Sequence, residues 1–261
     1  MTRKSMATMK STFAALAQAF IVTTIVWLPS TAGAGEFVTP SGVVELFTSQ
    51  GCRSCPPADR AFEKVVKQGN VVALSYHVDY WNYLGWADTL ARPENTERQY
   101  AYAKAFGRSG VYTPQAIING VEHIKGTDTA EINGRIRSLK DEGHGLRVPV
   151  NATRKDDQLS ISIGAGAGKA DVVVVYFRQH QTVELEKGEN AGQTLDYWHS
   201  VTDIQTVGMW RGEPINLALP AKVMGSDKSD GCAILLQSVD DEGNPTAIIG
   251  AAMMMKKRAI R

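Results

Sequence analysis

Cys52 and Cys55 stand in Gly51-Cys52-Arg53-Ser54-Cys55-Pro56, straight after the apolar run Val43-Val44-Glu45-Leu46-Phe47 and straight before a helix-patterned segment. Only a thiolate attacks a disulfide, and a cysteine at the start of a helix faces unpaired backbone N–H groups and the positive end of the helix dipole, which both favour the thiolate. Cys52 is therefore the expected nucleophile. Cys55, one turn further in, is the expected resolving thiol. Arg53 puts a cation between them, which lowers the Cys52 pKa further and makes the pair more oxidising. The same spacing also suits an inert Cys52–Cys55 disulfide or half of a zinc site. A four-cysteine site is excluded by count, because the chain holds three cysteines and the third is Cys232. Cys232 opens the apolar run Cys232-Ala233-Ile234-Leu235-Leu236 and reads as a buried, unreactive thiol.

Other groups can serve the pair. His77 and Asp79 follow an apolar run whose carboxyl end is expected on the cysteine side of a parallel sheet, where reactive groups gather. His77 would shuttle a proton, or complete a Cys52-Cys55-His77 set for copper or zinc in a protein that delivers metal; a plain hydrogen bond to a loop explains it equally well. Glu45 lies in a strand that should be central. A buried acid beneath the cysteines would have a raised pKa and could take the proton of Cys55, but alternation with Val43 and Phe47 does not say which face it occupies. Tyr80, Trp81, Tyr83 and Trp86 form an aromatic cluster that would either line a peptide groove or pack under a long loop.

The elements that must hold these groups alternate strand and helix from about Gly42 to Leu139. Ala58, Ala61, Phe62, Val65 and Val66 recur at helical spacing, with Pro56 and Pro57 in the first turn and Gly69-Asn70 at the end. Val71 to Tyr76 reads as a strand covered on both faces. A second helix is expected over Pro93 to Phe106. Strands follow at Gln115 to Ile118 and Val121 to Ile124 about the turn Asn119-Gly120, and a last helix at Thr129 to Leu139. Beyond Asp141-Glu142-Gly143-His144-Gly145, read as a linker, eight short strands are separated by polar turns: Leu146 to Asn151, Leu159 to Ile163, Asp171 to Phe177, Gln181 to Leu185, Leu195 to Thr206, Ile215 to Leu219, Cys232 to Val239 and Ala247 to Ala252. That pattern predicts an α/β domain over 35–143 and an all-β antiparallel sandwich over 144–261.

The first residues read as a leader. Arg3, Lys4 and Lys10 precede a mostly apolar stretch from Phe13 to Leu28, followed by Ala32-Gly33-Ala34, a small-residue cleavage pattern. The stretch is shorter than the roughly 20 residues of a spanning helix, so 1–34 is expected to be removed on export to the periplasm or beyond, with no stable membrane insertion afterwards. Export suits a disulfide, because such compartments do not keep thiols reduced. Of the 261 residues, those after Ala34 carry 25 basic and 27 acidic side chains, a balance that points away from nucleic acid and anionic membranes. No cofactor is implied, and the expected partner is a protein thiol or disulfide.

Val44-Glu45-Leu46-Phe47-Thr48, together with Thr113-Pro114, the strand after it and Asn119-Gly120, resembles the thioredoxin and glutaredoxin scaffold. That resemblance implies a cis-proline beside the cysteines, with Pro114 in that place and Thr113 offering backbone groups to an extended substrate. A closer likeness runs through Leu46 to Asp59, His77-Val78-Asp79-Tyr80-Trp81-Asn82-Tyr83-Leu84-Gly85-Trp86, Tyr112-Thr113-Pro114-Gln115 and Gly188-Glu189-Asn190-Ala191-Gly192. These segments resemble a family of secreted bacterial thioredoxin-like proteins catalogued as a domain of unknown function. The resemblance implies a thioredoxin-like fold and export, and thiol–disulfide exchange as the activity. Relative to ordinary thioredoxins, Gly51 replaces the aromatic residue before the first cysteine, Arg53-Ser54 replaces Gly-Pro, and an aromatic insertion follows His77.

Overall fold

The computed structural model describes residues 1–2, 40–155, 158–220 and 229–255; the expected leader lies outside them apart from its first two residues. The chain order is β1 (Val43–Thr48), α1 (Pro56–Gln68), β2 (Val72–His77), a short 3-10 turn (Asn82–Leu84), α2 (Pro93–Ala105), β3 (Gln115–Ile118), β4 (Glu122–Ile124) and α3 (Thr129–Asp141). It continues with β5 (Val150–Lys155), β6 (Gln158–Ile163), β7 (Ala170–Glu184), β8 (Thr194–Trp210), β9 (Ile215–Pro220), β10 (Gly231–Val239) and β11 (Pro245–Met255). The fold is mixed α/β with two sheets. The larger has eight strands in the order β11-β10-β7-β8-β2-β1-β3-β4, and the smaller has three, β5-β6-β9.

β1 and β2 are buried throughout, as their unbroken apolar runs require, and they pair in parallel with Thr48 beside His77. The pleat of β1 sends Val44 and Leu46 to a core with Ala58, Phe62 and Val65 of α1. Val43 and Phe47 point the other way, with Leu74 and Tyr76 of β2 and Tyr102 of α2. α1 and α2 thus cover opposite faces of the sheet.

The expected boundary at 143/144 does not interrupt the sheet. β8 joins the edge of β2 in parallel at Ser75 and Ser200, so strands from both halves form one layer. Val43, Phe47 and Tyr76 share a single core with Val175, Phe177, Leu235 and Ile248. Polar residues 141–145 do end a helix locally. They could not reveal that the apolar side chains of β8 and β10 bury against the first half. The three-stranded sheet packs Ile161, Ile163 and Val150 against Val172, Val174, Ile234 and Leu236 on the far face of the large sheet, and Cys232 is buried there too. Burial pushes the Cys232 thiol up to about 12, in keeping with an unreactive core residue.

Asp171 to Phe177 and Gln181 to Leu185, expected as separate strands, are one continuous β7. Arg178-Gln179-His180 does not turn. It lies where the β7–β8 hairpin leaves the sheet as a two-stranded arm, held by cross-strand hydrogen bonds from Thr182 Oγ1 to Asp196 Oδ1 and between His180 Nε2 and the same oxygen. No helix among the described residues is long and apolar enough to cross a membrane.

Candidate functional site

The site lies at the carboxyl end of β1. Cys52 and Cys55 form a disulfide, and both are buried, at 2% and 0% exposure. α1 begins only at Pro56, with Cys55 as its N-cap, so Cys52 lies in the turn before the helix rather than in its first turn. Pro56 and Pro57 have no N–H to offer, and the amides of Ala58 and Asp59 both donate to the Cys55 carbonyl. The backbone donors expected to favour the Cys52 thiolate are therefore largely spent. A side chain stands nearer: Ser54 Oγ is 3.5 Å from Cys52 Sγ and 3.4 Å from the Thr113 carbonyl oxygen, to which it donates. Arg53 is exposed, with no ion pair among the described residues.

Across from the pair, the Thr113–Pro114 peptide bond is cis. Trp81 Nε1 donates to Thr113 Oγ1 at 2.8 Å, tying the aromatic insertion to this loop. Gly51 is closely covered: a Cβ there would lie 3.1 Å from Trp81 Cβ and 3.2 Å from the Trp81 carbonyl oxygen, so Trp81 would have to give by a few tenths of an ångström. Trp81 from the insertion thus occupies the space beside the position that is aromatic in ordinary thioredoxins. Trp86 Nε1 donates to Gln50 Oε1 at 2.8 Å, while Tyr83 is largely exposed.

Behind the cysteines lies a buried polar cluster. His77 Nδ1 is 2.9 Å from Asp88 Oδ2, which also accepts from the Gln50 amide at 2.8 Å. Burial alone would raise the Asp88 carboxyl, but His77 and the Gln50 and Leu90 amides outweigh it and hold the group below its usual range. Asp88 is then the acceptor and His77 Nδ1 carries the hydrogen. The His77 ring meets Tyr197 of β8 edge-on at 4.6 Å. Asp59, one helical turn after Cys55 and on the same helix face, accepts from Thr48 Oγ1 at 2.7 Å. Burial pushes the Asp59 carboxyl up to about 7, against the Thr48 hydrogen bond and the nearby His77. Asp59 Oδ2, His77 Nε2 and the Tyr197 hydroxyl are all buried without a hydrogen-bond partner among the described residues.

The other expected residues lie apart from the pair. Glu45 sits on the α2 face, where its carboxylate binds Arg98 at 2.8 Å and accepts the Tyr102 hydroxyl. Arg98 also donates to Gln237 Oε1 of β10 at 2.7 Å, so this buried pair joins the two halves of the chain. The acid on the cysteine side is Asp59 instead. Asp79 is engaged by Thr96 of α2 at 2.6 Å. Cys52, Cys55 and His77 do not assemble as a metal set: among the described residues no three His, Cys, Asp or Glu side chains are placed to hold an ion.

Two participants carried weak signals. Asp59 shares a helical stripe with Ala58 and Phe62, and an acid on an apolar stripe is the mark that singles it out. Asn190 belongs to the Gly188–Gly192 turn at the tip of the β7–β8 arm. It is 2% exposed, and its Nδ2 donates to the carbonyl oxygens of Gln50 at 2.9 Å and Cys52 at 3.0 Å. The glycines around it announce a turn, but nothing local says that the turn closes over residues 140 positions earlier.

The family model described as Protein of unknown function (DUF1223) matches residues 43–237. Among curated relatives, a protein from Archaeoglobus fulgidus described as "Probable Thioredoxin" is 32% identical over 99 residues, which are 38% of this chain and 89% of that one. Among solved structures, the crystal structure of protein AGR_C_4864 from Agrobacterium tumefaciens is similar with a TM-score of 0.78 and 55% identity, over 85% of this chain and 97% of that one. HBP35 of Porphyromonas gingivalis shares the fold at a TM-score of 0.60 and 17% identity, over 86% of this chain and 77% of that one.

Proposed function

The chain belongs to the family described as Protein of unknown function (DUF1223), and we propose that it is an exported thioredoxin-like thiol–disulfide exchange protein. In this reading residues 35–143 are the thioredoxin-like portion, and residues 144–261 form a sandwich-like portion whose arm braces the cysteine turn. One observation carries the reading: the turn of the Cys52–Cys55 disulfide is bonded through Ser54 to the Thr113 carbonyl of the Thr113–Pro114 loop, and a buried acid, Asp59, follows Cys55 by one helical turn.

In the reducing direction the Cys52 thiolate attacks a substrate disulfide, forming a mixed disulfide and expelling one substrate thiolate. Cys55 then gives its proton to Asp59 and attacks Cys52 Sγ, releasing the second substrate thiolate and leaving the Cys52–Cys55 disulfide. Two electrons pass from the protein dithiol to the substrate, and the reverse sequence oxidises a substrate dithiol. Thr113 offers its backbone to the substrate chain. His77, Asp88 and Tyr197 are buried with Asp59 and close enough to act on it electrostatically.

The burial of both cysteines favours a second reading, a structural disulfide in a binding module. The reduction potential of the couple decides between them. Exchange predicts a value between about −120 and −270 mV, whereas a structural bond predicts one below about −300 mV. Under the exchange reading Cys55→Ser traps mixed disulfides from a periplasmic extract and Cys52→Ser traps none. A very low potential with no trapped species would end that reading.

A further inference from the structure

Resting on that exchange reading, we propose that the Ser54 hydroxyl is a catalytic switch that alternates between the Thr113 carbonyl and Cys52 Sγ, so that docking of a substrate chain releases it to stabilise the Cys52 thiolate. Ser54 Oγ lies 3.4 Å from the carbonyl that would receive the substrate backbone and 3.5 Å from the sulfur that would attack it. A hydroxyl has one hydrogen to donate and cannot satisfy both acceptors at once. With the disulfide closed, Cys52 Sγ is neutral, so the carbonyl is the better acceptor and holds the hydroxyl. Once Cys52 is a thiolate, the charged sulfur is the stronger acceptor.

The surrounding backbone makes this donor matter. Pro56 and Pro57 lack N–H groups, and the next two amides of α1 are bound to the Cys55 carbonyl. Ser54 is exposed, whereas Thr113 is only 9% exposed. Thr113 Oγ1 is already occupied by Trp81, which leaves the carbonyl as the acceptor that substrate and Ser54 must share. A substrate N–H that donates to this carbonyl shares its lone pairs with Ser54 and weakens the long 3.4 Å bond that holds the hydroxyl, which frees it to turn toward the sulfur. Docking and thiolate stabilisation are thus coupled through one hydroxyl. The reacting atoms follow the exchange sequence above, and Ser54 neither gains nor loses a proton.

The test compares the full chain with Ser54→Ala and Ser54→Thr, using iodoacetamide alkylation of reduced Cys52 against pH and exchange with a quenched fluorescent peptide that carries an internal disulfide. In Ser54→Ala the Cys52 pKa is expected to rise by about one unit, a tenfold loss of thiolate stabilisation, and the couple to become about 30 mV more reducing. The same variant should show a lower KM, because the Thr113 carbonyl is vacated, together with a lower kcat. Ser54→Thr keeps the hydroxyl and should restore both values. A wild-type chain that exchanges normally while Ser54→Ala moves neither the Cys52 pKa nor KM overturns the Ser54 role alone. A wild-type chain that exchanges nothing overturns the exchange reading, and the coupling with it.

Discussion

Asn190 Nδ2 donates to the Cys52 carbonyl oxygen at 3.0 Å and to that of Gln50 at 2.9 Å, so an arm from the second half of the chain fixes the turn that carries the first cysteine. Both bonds are buried, and removing the donor leaves desolvated carbonyls behind. Asn190→Ala is expected to cost about 1–3 kcal/mol in urea unfolding of the oxidised protein. Asn190→Asp has nearly the same shape but turns a carboxylate oxygen toward those carbonyls, so it should be less stable than the alanine variant. Equal stability of Asn190→Asp and wild type would remove this bracing role.

Asp59 makes stability depend on pH in a defined direction. Its carboxyl is raised in the folded state to about 7 from an ordinary value of 3.8, so the folded protein keeps a proton that the unfolded chain releases between those limits. Stability from this group is full below about pH 4 and is lost as pH rises through about 7, with an upper limit of about 4 kcal/mol. Asp88, held below its usual range, acts in the opposite sense and below that window. His199, lowered by burial, adds stability as pH rises toward 6.5. The comparison that isolates Asp59 is wild type minus Asp59→Asn, because the amide does not titrate. Unfolding measured from pH 4 to 8 should give a difference that falls across the window, and a flat difference would contradict the buried acid.

Glu45 and Arg98 form the other buried ionic group, and its consequences differ from those of Asp59. Burial would lower the Arg98 guanidinium, but Glu45 and the neighbouring tyrosines outweigh it and hold the group further up. Arg98→Ala leaves a buried carboxylate without its partner and is expected to cost about 3–5 kcal/mol. Glu45→Gln tests position. Because Glu45 faces α2, exchange by this variant should keep its inflection near pH 7, whereas Asp59→Asn should lose it and slow the resolving step by about a hundredfold. Loss of the inflection in Glu45→Gln would return the proton-accepting role to β1.

The strand–turn–helix around Cys52 and Cys55 was legible because apolar runs, helical spacing and paired prolines are local signals. The face of β1 that carries Glu45 was not. Both faces are buried, by α1 on one side and α2 on the other, so alternation held no contrast between wet and dry. That the two portions share one sheet was hidden for a related reason. Residues 141–145 are as polar as a linker, yet the pairing of Ser75 with Ser200 depends on an edge of β2 that only the assembled sheet leaves open. Asn190 lay in a segment whose likeness to a family was visible, but its partners are carbonyl groups, which have no identity in a sequence.

Gly188 and Gly192 flank Asn190 and allow a matched test of how the arm tip is seated. Their φ values are +82° and +79°, so alanine meets nearly the same backbone cost at either. Their surroundings differ. A Cβ on Gly188 would lie 2.8 Å from Trp86 Cβ, while one on Gly192 would meet nothing within 4 Å. Since Trp86 also bonds Gln50, pushing the tip away from it should loosen the grip of Asn190 on the cysteine turn. Gly188→Ala is therefore expected to be about 1–3 kcal/mol less stable than Gly192→Ala. The disulfide should also be reduced faster by dithiothreitol in Gly188→Ala. Matching stabilities and matching reduction rates in the two variants would show that the contact between the tip and Trp86 does not control access to Cys52.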